Sequence, residues 1–266
     1  MSISPDTRVI AVGSGKGGVG KSTATLNLAL ALRGLGYSVG VVDADVFGPN
    51  IPLMVNLARK REAKSLTLAS VGDQLGWEPV ESHGLKLMSV GFLIGEGQSI
   101  WNPELVTVLS SQLINRVAWG KLDYLMVDLP PGSADITQRF VTSMPLTAAV
   151  IVVTPQDVAH LDAKRALVMY EMAGLRVLGA IENMTGMTCP HCNEHIEVFH
   201  EVTEGRSIWA TGIDRLASVP LDPEMSKSTD TGRPIMVSSP DSPQAAAYRK
   251  AAARICEQVG ARTPLC

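Results

Sequence analysis

Gly15-Lys-Gly-Gly-Val-Gly20-Lys21-Ser22 restricts this chain to few folds. It satisfies the spacing G-x-x-x-x-G-K-[ST], and it sits between an apolar β-rich run at 9–12 and a helix-length stretch at 22–35. Strand, glycine loop and helix in that order form a cradle for phosphate. The glycines let backbone N–H groups curl around phosphate oxygens where a side chain would collide. Gly15, Lys16, Gly17, Gly18, Val19, Gly20, Lys21, Ser22 and Thr23 are therefore the expected nucleotide-binding residues. Lys21 supplies charge to the β- and γ-phosphates. Ser22 offers a hydroxyl to Mg²⁺, and the helix presents its positive end to the anion.

The rest of the chain repeats the same rhythm. Runs at 39–42, 85–90, 124–127, 148–153 and 177–181 are short and almost uncharged, as central strands covered on both faces are. Between them, 104–119 and 159–173 have helical length and apolar spacing. Alternating strands and helices imply an α/β fold with a doubly wound, mostly parallel sheet, read as one domain over 1–266. Two stretches, 47–73 and 183–212, are rich in turn formers and longer than ordinary connections, which marks them as functional loops. The tail, at 244–258, reads as an Ala-rich amphipathic helix packed back on the sheet.

Two strands end in acids. Asp43-Ala-Asp45 follows one and Asp128-Leu-Pro-Pro-Gly132 another, so these acids share the ligand-binding edge with the glycine loop. Asp128 has the position of an acid that holds Mg²⁺. Asp45 is the candidate for orienting the water that attacks the γ-phosphate, and Asp43 has the position of a supporting group.

Further on, Cys189-Pro-His-Cys192 lets two thiolates converge on one metal. One pair half fills a four-ligand site. His191, His195 or His200, a distant cysteine, or the same pair from a second subunit could complete it, with the histidines weighed as polar loop residues. Four thiolates suit Zn²⁺ or an iron–sulfur cluster equally. Cys256 and Cys266 lack metal spacing. Four cysteines in 266 residues are too few for a disulfide scaffold, and the N-terminal residues show no signal-peptide pattern, so a cytoplasmic setting is expected. A net charge of −3 offers no nucleic-acid footprint, and no apolar run is long enough to span a membrane.

Lys16 makes the loop a special one: Lys-Gly-Gly-Val-Gly-Lys-Ser resembles the deviant Walker A sequence of the MinD/ParA/nitrogenase-iron-protein type of P-loop NTPase. That resemblance implies a homodimer in which Lys16 reaches the partner's nucleotide. With Asp43-Ala-Asp-Val-Phe-Gly-Pro-Asn50, Thr154-Pro-Gln156, Glu182-Asn183-Met184, Cys189-Pro-His-Cys192 and Pro220-Leu-Asp-Pro223, the chain is similar to the Mrp/ApbC-type iron–sulfur carrier ATPases over about 8–258. The resemblance implies ATP binding and hydrolysis, with Lys16, Lys21 and Asp45 catalytic and Ser22 and Asp128 on Mg²⁺. It further implies a [4Fe–4S] cluster shared by Cys189 and Cys192 of two subunits, delivery to apo iron–sulfur proteins, and Asn183 against the adenine. Gly132-Ser-Ala-Asp135 and Ile100-Trp-Asn-Pro103 depart from the usual Gly-Thr-Gly-Asp and Trp-Arg-Gly-Pro. The competing reading is a MinD/ParA-like nucleotide switch with structural zinc at the two cysteines. It lacks the basic amphipathic tail or basic patch that a membrane or DNA switch needs.

Overall fold

A computed structural model of the chain describes residues 3–260 apart from 47, 58–66, 72–73, 94–111, 133–134, 190, 193 and 201. Its centre is β1 (Arg8–Ser14), followed through the glycine loop by α1 (Lys21–Gly34) and β2 (Val39–Asp43). Then come α2 (Ile51–Met54), the hairpin β3 (Leu68–Val71) and β4 (Gln74–Trp77), β5 (Val80–Ser82), β6 (Leu85–Ser89) and the short α3 (Val90–Leu93). The second half runs β7 (Tyr124–Asp128), α4 (Asp135–Ser143), β8 (Ala148–Val153), α5 (Asp157–Met172) and β9 (Val177–Asn183). It closes with β10 (Met187–Thr188), β11 (His195–Ile196), β12 (Arg215–Val219), α6 (Pro223–Asp230), α7 (Ile235–Ser238) and α8 (Pro243–Val259).

Eight strands form one sheet in the order β12-β9-β8-β1-β7-β2-β6-β5, parallel throughout except for the antiparallel edge strand β5. Successive side chains of a strand point to opposite faces, so β1 feeds two cores. Ile10 and Val12 pack with Leu26, Leu28 and Leu32 of α1 and with Tyr248 and Ile255 of α8. Val9 and Ala11 pack with Ala163, Ala166 and Tyr170 of α5. Both faces are covered, which is why these strands carry no alternating polar residues. Ser242 caps α8 by accepting from the Ala245 N–H, and Gly260 ends the helix in the left-handed conformation.

The expected strands and the helices at 22–35, 159–173 and 244–258 are in place to within one or two residues. One helix differs. Residues 104–111 of the span 104–119 lie outside the described residues, and among the described ones 112–115 are helical and 116–119 are not. The chain leaves the helix because Trp77 of β4 takes its backbone: the Trp77 N–H donates to the Arg116 carbonyl and the Ala118 N–H to the Trp77 carbonyl. The loop-like stretch 47–73 contains α2 and the first strand of a hairpin, and 183–212 contains the β10–β11 pair. Arg215–Val219 adds an edge strand that its polar, turn-flanked sequence concealed.

Candidate functional site

Parallel pairing puts the chemistry at one edge. Val12 of β1 and Asp43 of β2 are both register partners of Asp128 on β7, so the two acids flank the glycine loop at the carboxyl ends of their strands. Gly20 begins α1 at φ 86°, a left-handed geometry suited to glycine. The Asn183 side-chain amide donates to the Val19 carbonyl at 2.8 Å, bracing the loop from the end of β9. A cavity of about 260 Å³ opens over the loop, lined by Lys16, Gly18, Lys21, Ser22, Asp45 and Asn50 among others.

Lys21 is 6% exposed and faces this cavity. Its Nζ donates to Asp128 Oδ1 at 2.8 Å and lies 3.5 Å from Asp45 Oδ2 and 3.4 Å from Ser22 Oγ. Burial pulls the pKa of its ammonium down, but Asp128 and then Asp45 outweigh it, so the ammonium is held charged. Thr25, one turn along α1, also donates to Asp128 Oδ1, at 2.9 Å. The other oxygen of Asp128 is fully buried without a hydrogen-bond partner among the described residues. A buried carboxylate oxygen left unsatisfied is costly; Asp128 and Ser22 each lie within 3.4 Å of Lys21 Nζ, and carboxylate and hydroxyl oxygens are the donor set a divalent cation takes.

Asp43 is buried and braces the neighbouring loop. Its carboxylate accepts from Ser89 Oγ at 2.9 Å, the Ile51 N–H at 3.2 Å and the Asp45 N–H at 3.3 Å. Burial, then the nearby Asp128 charge, push its pKa up to about 8, against the pull of Lys21 and these donors. Among the described residues, Asp45 and Asp128 thus flank the one buried ammonium of Lys21, an excess of negative charge that a cation would balance.

A second cavity, of about 230 Å³, lies beside Gly20 and Thr23 and is walled by Asn183, Met184, Pro220, Leu221 and Met225. Its mostly apolar walls and one carboxamide suit a flat heteroaromatic ring. Asn183 therefore touches both cavities, as a loop brace and as a wall.

The cysteines project from the β10–β11 hairpin, where Met187 pairs with Ile196 and Thr188 with His195. Cys189 is partly buried and Cys192 exposed, both as free thiols. The backbone N–H groups of Cys192 and His191, then the Cys192 side chain, hold the Cys189 thiol below its ordinary range. Among the described residues no group of three His, Cys, Asp or Glu side chains is placed to hold a metal. Cys256 lies away from this edge, on α8, where burial raises its thiol. Cys266, Ile100-Trp-Asn-Pro103, Ser133 and Ala134 lie outside the described residues, whereas Gly132 has φ 94° and donates to the Ser14 carbonyl.

Sequence reasoning passed over two features. Thr25 was legible in principle, because i and i+4 share a helix face with Lys21. The network of the buried His160 and Glu182 with the exposed Arg215 was not. Arg215 Nη1 lies 3.2 Å from Glu182 while its guanidinium stacks on Trp209, and His160 Nδ1 accepts from the Ile208 N–H. This network fastens α5, β9 and β12 beneath the cysteine hairpin.

A family model described as ParA, "NUBPL iron-transfer P-loop NTPase", matches residues 6–256. The chain is 41% identical over 252 residues to the iron-sulfur cluster transfer protein NUBPL of Dictyostelium discoideum, covering 94% of this chain and 76% of that protein. A nucleotide-binding protein from Archaeoglobus fulgidus, solved with ADP, superposes with a TM-score of 0.71 at 38% identity over 85% of this chain and 86% of that one. The septum site-determining protein MinD of Pyrococcus horikoshii, solved with Mg-ADP, shares the fold at 23% identity, with a TM-score of 0.68 over 96% of this chain and 98% of that one.

Proposed function

We propose, for a chain that belongs to the NUBPL-type iron-transfer P-loop NTPases of the ParA group, that it is an ATP-dependent carrier of a [4Fe–4S] cluster. It binds the cluster between two copies of itself and delivers it to apo iron–sulfur proteins. One observation carries this reading: β9 runs from the nucleotide site into the cysteine hairpin. Asn183, which braces the phosphate loop, stands six residues before Cys189.

In this reading the backbone of Gly15–Thr23 cradles the phosphates of ATP and Lys21 leaves Asp128 to contact the β- and γ-phosphates. Ser22 and Asp128 hold Mg²⁺, which neutralises charge on the phosphate oxygens. Asp45, beside Lys21 at the cavity rim, orients the attacking water in line with the γ-phosphate. Lys16 reaches the partner's γ-phosphate, where a positive charge stabilises the transition state. Asn183 and the apolar cavity behind it receive the adenine.

Cys189 and Cys192 supply two thiolates, and a two-fold axis doubles them to the four that a cluster requires. Nucleotide state sets how closely the subunits approach, and so the spacing of the two pairs. The coupling is reciprocal, so cluster binding alters ATP affinity.

The test is iron, sulfide and zinc content per subunit after anaerobic purification and reconstitution, beside a Cys189→Ala/Cys192→Ala variant. About two irons and two sulfides per subunit, lost in the variant, are expected. Zinc at about half an equivalent without sulfide would instead make the pair a structural clamp.

A further inference from the structure

Lys16, whose role above lies across a subunit interface, is held within its own chain. Its Nζ donates to Gln156 Oε1 at 2.8 Å, and both side chains are half-buried. The two backbones are anchored independently. Ser14 Oγ donates to the Lys16 carbonyl at 2.9 Å, and the Gln156 N–H donates to the Thr154 carbonyl at 2.7 Å. The contact therefore joins two fixed points of the chain rather than two loose side chains.

Gln156 occupies the N-cap of α5, in an extended conformation, without a side-chain capping bond. Ser, Thr, Asp and Asn favour that position because their short side chains satisfy the free N–H groups of the first turn. A glutamine there leaves the cap unmade and spends its amide on the lysine. The ammonium also lies at the positive end of the helix, where a cation is disfavoured. The bond to the neutral carbonyl carries charge on the donor alone, whereas a carboxylate at the same point would form an ion pair with Lys16 and hold it more tightly. The arrangement suits a lysine that must be kept in place and then surrendered to a phosphate.

We propose that Gln156 is a positioning residue that parks Lys16 on its own subunit until bound nucleotide in a second copy draws it away. The proposal rests on the trans role of Lys16 given above. Each dimer formed then breaks two such contacts, one per subunit, so parking opposes association and sets its threshold.

Sedimentation velocity with Mg²⁺ and a non-hydrolysable ATP analogue tests this on the full chain. Gln156→Ala is expected to lower the dimer dissociation constant about tenfold or more, since two hydrogen bonds to charged groups no longer have to be broken. Gln156→Glu is expected to raise it by at least as much. Both shifts should vanish in a Lys16→Ala background, and a purely structural cap role would leave them there. Gln156→Met serves as a second neutral variant should the alanine destabilise α5. If the parent protein stays monomeric with the analogue, the trans reading falls and the parking role with it. If it dimerises and the Gln156 variants match it, parking alone is overturned.

Discussion

Alanine substitutions along the phosphate loop should separate glycines that make room from glycines that do not. A Cβ on Gly15 would stand 2.2 Å from the Asp162 carbonyl carbon and 2.4 Å from the Ala163 nitrogen, all backbone atoms of α5. Ordinary contact begins near 3.4 Å, so the loop and α5 must part by about 1.2 Å. Ala163, Ala166 and Tyr170 of α5 are fully buried against the sheet, so the helix has no slack. Overpacking of this kind costs about 2 kcal/mol, which in a chain of this size lowers Tm by roughly 4–8 °C.

A Cβ on Gly20 would meet Asn183 Nδ2 at 2.3 Å with φ at +86°. Left-handed strain of about 1–2 kcal/mol adds to the loss of the bond to Val19, about 1 kcal/mol. Gly17 has open space around it, so Gly17→Ala should stay within about 0.5 kcal/mol of the parent. Urea denaturation gives the stabilities, and titration with a fluorescent ATP analogue gives the affinities. Gly15→Ala and Gly20→Ala should lose both, and Gly17→Ala should keep its stability. Equal destabilisation at Gly15 and Gly17 would refute the steric reasoning.

Lys16→Ala should reduce ATP hydrolysis about 10³-fold while nucleotide affinity changes little, measured by steady-state turnover beside equilibrium binding; loss of affinity first would place Lys16 in its own site. Asn183→Ala removes the loop brace and a wall of the second cavity, and should weaken ATP binding about tenfold or more, with a smaller loss for inorganic triphosphate. The Asp157 carboxylate accepts from the Thr203 N–H and from Arg206, which hold its pKa below the usual carboxylate range. That stabilisation is present above the unfolded pKa of about 3.9 and is lost as pH falls through the lower folded value. Asp157→Asn should therefore flatten the acid side of the stability profile, and parallel profiles for variant and parent between pH 6 and 3 would count against it.

Much of this was written along the chain. The glycine loop, the strand-end acids and the apolar runs declare themselves because each needs its residues at fixed local spacing: a phosphate cradle, a strand buried on both faces, a helix of period 3.6. Asp43 and Asp128 could be placed on one edge without coordinates, since parallel strands end together. The spacing of Cys189 and Cys192 could be read as half of a metal site for the same reason. Other features depend on residues far apart in sequence. Lys16 meets Gln156 across 140 residues, Asn183 meets Val19 across 164, and Trp77 ends a helix by taking the backbone around Arg116.

Gly15 shows the division in a single residue. The loop motif requires a glycine there, yet the backbone that a methyl would strike belongs to α5, brought within 2.4 Å by the packing of that helix on β1 and β8. Local pattern determined which groups stand in the glycine loop, at the strand ends and in the Cys-Pro-His-Cys turn. Tertiary structure decided what holds them meanwhile, because a side chain's partner is set by the packing of whole helices and strands, a property no short window of sequence contains.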